Sequence, residues 1–208
     1  MAKRARTRNN SPVNKAPSVE LKMLKSEFSD AQLEHYLNKG TIDSLEEIDT
    51  PPQILWVEDC TIATFGNFSA STGKAKSKKT FNISAMVAAA LINGKVLNYR
   101  ASLPEGKRKI LYFDTEQSRY HCQNVLNRIL KLAGLKKGEE VDLLTFVELR
   151  EYTPTLRISL IDYALRKSSG YGLVIIDGLR DLVYDINNAK ESTDVMTLLM
   201  SWTSAYCL

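Results

Sequence analysis

The stretch that most narrows the folds open to this chain is Gly73–Thr80, Gly-Lys-Ala-Lys-Ser-Lys-Lys-Thr. A strand-like run, Thr61–Thr72 (TIATFGNFSAST), precedes it, and an apolar run of helical character, Phe81–Ile92 (FNISAMVAAALI), follows. Strand, polar loop and helix in that order are the setting of a phosphate-binding loop. There, backbone N–H groups and the positive end of the helix dipole surround an anion. The spacing assigns Gly73 to the first glycine, Lys79 to the lysine that reaches the terminal phosphates, and Thr80 to the hydroxyl that holds Mg2+. The expected nucleotide-contacting segment is Gly73, Lys74, Ala75, Lys76, Ser77, Lys78, Lys79, Thr80 and Phe81. Lys78 stands where a strict motif has its second glycine. If that position needs positive φ, lysine costs stability there; its charge could instead help hold phosphate. A basic surface loop of solvated lysines is the competing reading.

Around this stretch the apolar periodicity predicts alternating strands and helices. Strands are expected at Gln53–Val57, Thr61–Thr72, Lys109–Phe113, Val141–Val147 and Leu173–Ile176. Helices are expected over Phe81–Asn93, Gln117–Leu132, Thr153–Lys167 and Ser192–Tyr206, with Thr153 as N-cap and Pro154 at the first helical position. Strands apolar throughout, Leu173–Ile176 above all, imply burial on both faces. The predicted class is therefore α/β, a mainly parallel sheet flanked by helices.

The 208 residues suffice for one core and an extension. No run of about 18 apolar residues exists, which excludes a helical membrane span. Cys60, Cys122 and Cys207 lie far apart and only two histidines accompany them, so neither a disulfide framework nor a zinc site is expected. That cysteine usage fits a reducing cytoplasm. The net charge of +4 is weighted to the N-terminus, where Lys3, Arg4, Arg6, Arg8 and Lys15 precede the first acid, Glu20. Such an arm either neutralises nucleic-acid phosphates or simply solubilises the chain. Residues 1–17 read as a disordered basic arm, 18–50 as a helical extension and 51–208 as the main domain. Within the extension, Ser18–Lys39 has helical spacing and Ser29-Asp30 offers a second helix start.

In parallel sheets ligands bind beyond the carboxyl ends of the strands. Two acidic positions fall there. Asp177, after LVII, suits the acid that holds Mg2+ directly or through water, although Asp177-Gly178 is otherwise only a turn. Glu116, two residues past KILYF, suits a carboxylate that orients an attacking water, with Asp114 as the alternative; either acid could instead merely cap the next helix. Trp56 reads as a core or hairpin tryptophan rather than a base-stacking one, and His121-Cys122 as incidental.

The stretches GNFSASTGKAKSKKT, ILYFDTEQS and LVIIDGLRDL, with Asn187 following, resemble the RecA-like ATPases. Within that group residues 51–208 look most like hexameric plasmid-type replicative helicases of the RepA kind and the AAA-type ATPases of Bacteroides-like mobile elements. The resemblance implies a RecA-like core that binds ATP and Mg2+. Lys79 and Thr80 would take phosphate and metal, Glu116 would activate water, Asp177 would be the metal-holding acid, and Asp181 would support it. It further implies DNA as partner and a homo-oligomer, a hexamer in the full-length form. Such a core is expected to continue past Leu208 into a sensor strand, DNA-contacting loops and an arginine finger. No arginine here is assigned to that last role, and Arg180 lies too close to Asp177. The implied function is a cytoplasmic ATP-driven motor or loader acting on DNA in replication or transfer of a mobile element. The alternative is a nucleotide-binding regulatory or assembly module with little turnover.

Overall fold

The structure, a computed structural model, describes residues 28–74, 77–136 and 141–208. The basic arm, the start of the helical run expected from Ser18, and Ala75 and Lys76 of the loop lie outside the described residues. The chain divides into two units, Met1–Asp49 and Thr50–Leu208.

In the first unit the described helix is α1, Asp30–Gly40. It begins at Ser29 because the Ser29 hydroxyl accepts from the Gln32 N–H at 3.3 Å while the Gln32 side chain accepts from the Ser29 N–H at 2.8 Å. This reciprocal box satisfies two donors that the first helical turn cannot satisfy itself. Leu33, Tyr36 and Leu37 form an exposed apolar stripe along the helix.

The second unit contains two sheets. β1 (Gln53–Val57) and β2 (Cys60–Thr64) make a hairpin; β4 (Tyr99–Ala101) pairs on the other side of β1, and β3 (Lys95–Val96) pairs with β4. All of these pairings are antiparallel. This corrects the expectation of one mainly parallel sheet. The two strands missed are only two and three residues long, too short for a periodic signal. Trp56 sits on this hairpin sheet with the Arg100 guanidinium 3.8 Å from its ring centroid and its indole N–H donating to Gln53.

The other sheet is parallel, in the order β6 (Leu144–Glu148), β5 (Lys109–Asp114), β7 (Tyr171–Asp177). β5 is central, and its side chains alternate between two cores. Ile110 and Tyr112 pack with Val87 and Ala88 of α2 (Lys79–Ile92) and Val125 and Ile129 of α3 (Arg119–Leu132). Leu111 and Phe113 pack with Ile161 and Leu165 of α4 (Pro154–Lys167) and Val195 and Trp202 of α5 (Ala189–Tyr206). Helices therefore cover both faces, which is why Ile110–Phe113 are buried in succession rather than alternately. The α/β class expected from sequence holds for this sheet.

Three further boundaries differ from expectation. The strand before the loop ends at Thr64 rather than Thr72, because Gly66 takes φ +76° and the Asn67 amide bonds Thr64 Oγ1 and the Phe65 carbonyl. A left-handed glycine beside a side chain that satisfies its own neighbours turns the chain and ends the extended run. β6 begins at Leu144, after a turn in which the Leu144 N–H bonds the Val141 carbonyl. β7 is an edge strand, so Val174, Ile175 and Ile176 are only half-buried instead of covered on both sides. Among the described residues no helix is long and apolar enough to cross a membrane.

Candidate functional site

The carboxyl ends of β5 and β7 come side by side, with Asp114 paired to Asp177 in register. The turns that follow are tied together mainly by one hydroxyl. Thr115 Oγ1 lies 3.1 Å from the Asp177 carbonyl, 2.8 Å from the Gly178 carbonyl and 3.0 Å from Asp181 Oδ2, while its N–H donates to the Asp177 carbonyl. Gly178 has φ +106°, and a Cβ there would stand 2.0 Å from Thr115 Oγ1. Only glycine allows the two turns to approach this closely.

Arg157 of α4 completes the frame. Its guanidinium donates to the Leu149, Arg150 and Asp181 carbonyls at 3.0, 2.7 and 2.6 Å. It thereby fastens the turn after β6 to the turn after β7. No sequence motif announced either Thr115 or Arg157 as a framing residue, since both act on backbone carbonyls brought close only by the fold.

The acids at this edge have distinct surroundings. Asp114 is fully buried and accepts from the N–H groups of Glu116 and Gln117 and from the Gln117 side-chain amide. Burial pushes its carboxyl upward, against the pull of those two backbone N–H groups. With its oxygens occupied, Asp114 shapes the turn on which Glu116 stands. Glu116 is exposed, and its carboxyl is also raised, by desolvation and then by the charges of Asp181, Asp177 and Asp114. Asp177 is half-buried, and its Oδ2 accepts from the Tyr112 hydroxyl at 2.9 Å. Cys122, buried beneath this edge, has its thiol pushed up to about 12 by burial and by Asp114, so it stays a thiol.

The loop before α2 is built differently. Lys78 takes the N-cap position at φ +64°, ψ +23°, the left-handed conformation usually left to glycine. The Lys79 ammonium is turned back onto the loop and donates to the Gly73 carbonyl at 2.8 Å and the Lys74 carbonyl at 3.2 Å. A Cβ on Gly73 would stand 2.7 Å from Ser77 Oγ, so glycine permits that close approach. Thr80 lies in the first turn of α2, and Phe81 beside it is partly exposed.

Thus the fold gathers Asp114, Glu116, Asp177 and Asp181 at one sheet edge, and Gly73, Lys74 and Lys78–Phe81 around one helix start. Among the described residues the sole ion pair is Arg166 with Asp162, so Lys79 is not paired with Glu116 or Asp177. Nor do three His, Cys, Asp or Glu side chains among them converge to hold a metal alone. Mg2+ keeps several waters and takes one or two carboxylates together with substrate phosphates. The Thr80 hydroxyl and the Asp177 carboxylate are each an oxygen donor of the type this ion takes. Comparison with protein-family models, curated proteins and solved structures finds no match.

Proposed function

We propose that residues 50–208 form a RecA-like, P-loop nucleotide-binding unit that hydrolyses ATP and couples this to work on DNA. The observation that carries the reading is Lys78 held at φ +64° at the N-terminus of a 14-residue helix, with the next lysine turned onto the loop carbonyls. A left-handed residue there points successive N–H groups the same way, and a first helical turn leaves donors without an intrahelical partner, although the Phe81 N–H here bonds the Lys78 carbonyl at 3.0 Å. Anionic phosphates are the natural acceptors for such a cluster. On binding, Lys79 would exchange its carbonyl contacts for phosphate oxygens.

Mg2+ would be held by the Thr80 hydroxyl and Asp177, supplying charge neutralisation at the phosphates. Tyr112 fixes Asp177 Oδ2 and leaves Oδ1 for that contact. Glu116 would orient the attacking water. Its raised pKa brings it nearer the range in which a carboxylate accepts a proton effectively. Asp114, buried and saturated with hydrogen bonds, takes the supporting part. The DNA partner, the mobile-element task and a hexameric assembly follow from the resemblance of the quoted motifs and are proposed on that footing.

The test is phosphate release from ATP in Mg2+ buffer, with and without single-stranded DNA, by the parent, Glu116→Gln and Asp177→Asn proteins. Glu116→Gln should bind ATP and lose turnover. Asp177→Asn should also lose the Mg2+-dependent part of binding. Turnover at the parent rate in Glu116→Gln would contradict the assignment of that residue.

A further inference from the structure

Away from the acidic edge, α2 and α3 border a cleft of about 650 Å3. Its walls carry Lys95, Arg128 and Lys131 among apolar side chains that include Phe81, Ile92 and Leu97. Phe81, Ile92 and Leu97 are 41, 43 and 55% exposed, which leaves apolar surface open beside the three cations. The Arg128 guanidinium lies 6.0 Å from the centre of the Phe81 ring, at the outer limit of a cation–π contact. Tyr120, 72% exposed, stands on α3 two turns before Arg128.

The residues that line the cleft include three cations and no acid. Neither Lys79–Ala101 nor Gln117–Lys136 contains an Asp or Glu. Lys95, Arg128 and Lys131 make no ion pair among the described residues. Glu58 of the hairpin approaches through its contact with Asn98 at 3.4 Å but does not line the cleft. Cations beside an exposed ring, here Phe81, are the chemistry of a surface for single-stranded nucleic acid. The cations neutralise phosphates, and the rings stack on bases without regard to sequence. A duplex keeps its bases stacked and gives Phe81 nothing to meet. An acidic peptide offers charge without flat apolar faces.

We infer that the cleft between α2 and α3 binds single-stranded nucleic acid, with Lys95, Arg128 and Lys131 on phosphates and Phe81 stacked on a base. This deepens the DNA part of the proposed function without resting on nucleotide binding: the three cations lie outside the phosphate loop and the acidic edge, and of the residues used here Phe81 alone belongs to the expected nucleotide-contacting segment.

The experiment titrates a fluorescent oligothymidylate of about twenty nucleotides into the full chain, without ATP, at several salt concentrations. Three single-strand phosphate contacts give a slope of about −2 in log affinity against log salt, or roughly twenty-fold weaker binding between 50 and 200 mM. Replacing Lys95, Arg128 and Lys131 together by Gln should remove that part of the slope. Phe81→Ala should weaken binding by about five-fold or more at any salt. A second full chain with Lys3, Arg4, Arg6 and Arg8 replaced by Gln separates the arm from the cleft and should keep most of the binding. Melting curves check that each variant is folded; should the triple variant not fold, Arg128→Gln alone should weaken binding while Arg128→Lys keeps it. ATP titration of the triple variant should be unchanged, so the two readings can fail separately. Oligothymidylate binding that survives the triple change would overturn the inference. So would loss confined to the arm variant, or preference for phosphatidylserine vesicles or duplex over the single strand.

Discussion

The Tyr112 hydroxyl donates to Asp177 Oδ2 at 2.9 Å, linking the centre of β5 to the last residue of β7. Tyr112 is fully buried and its ring stacks on Phe146 at 4.3 Å. Burial, and then the neighbouring Asp177 charge, raise its pKa far above the ordinary phenol range. The group is therefore a permanent neutral donor that holds one carboxylate oxygen in place. Tyr112→Phe keeps the ring and removes only the bond. It should cost about 1–2 kcal/mol in urea unfolding. It should also weaken Mg2+-dependent ATP binding more than metal-free binding. Equal stability and unchanged Mg2+ dependence would show that Asp177 needs no such anchor.

Gly178 sets the distance between the two turns that carry the acids. Alanine there meets both a disfavoured φ of +106° and atoms 2.0, 2.9 and 3.0 Å away on Thr115, Glu116 and Asp181. Gly178→Ala should destabilise the fold by about 2–4 kcal/mol, the range for strain combined with overpacking. Thermal unfolding within a degree of the parent would mean that the turns move apart freely.

Glu116 contributes a pH dependence with a definite sign. Its folded-state pKa is raised, so the folded chain binds this proton more tightly than the unfolded one. Ionised Glu116 therefore disfavours the fold at neutral pH, and the disadvantage disappears as pH falls through the raised pKa. Glu116→Gln should be more stable than the parent at pH 7.5, by a gap that closes toward pH 4. Denaturant midpoints across that range measure it. A Gln variant less stable than the parent at pH 7.5 would refute the electrostatic account. A residue that the fold would be more stable without is what a site for chemistry predicts.

Much of the parallel half of the fold was legible from residue pattern. KILYF announced β5 because a central strand covered on both faces carries consecutive large hydrophobic side chains, here Ile110–Phe113. Thr153-Pro154 announced α4 because each residue suits one position at a helix start, and Thr153 does accept from the Leu156 N–H. β3 and β4 were not legible, since they are only two and three residues long and β4 owes its place in the sheet to β1, brought beside it from some forty residues earlier. Thr61–Thr72 misled because β-favouring Phe68 and Thr72 follow Gly66, where the glycine's φ and the Asn67 amide turn the chain. At the site, the acids were legible by their place after apolar strands. The hydroxyl of Thr115 and the guanidinium of Arg157 were not, because their partners are carbonyls that every residue has.

The most direct measurement of the central claim is calorimetric titration of MgATP into the parent, Lys79→Ala and Lys78→Ala proteins. The account predicts near-stoichiometric binding by the parent, and loss of at least ten-fold in affinity for Lys79→Ala, whose ammonium would meet the terminal phosphates. Lys78→Ala should bind within a few-fold of the parent, because that residue contributes chiefly its left-handed backbone. No binding by the parent, or binding abolished by Lys78→Ala while Lys79→Ala binds normally, would contradict a phosphate loop in this register.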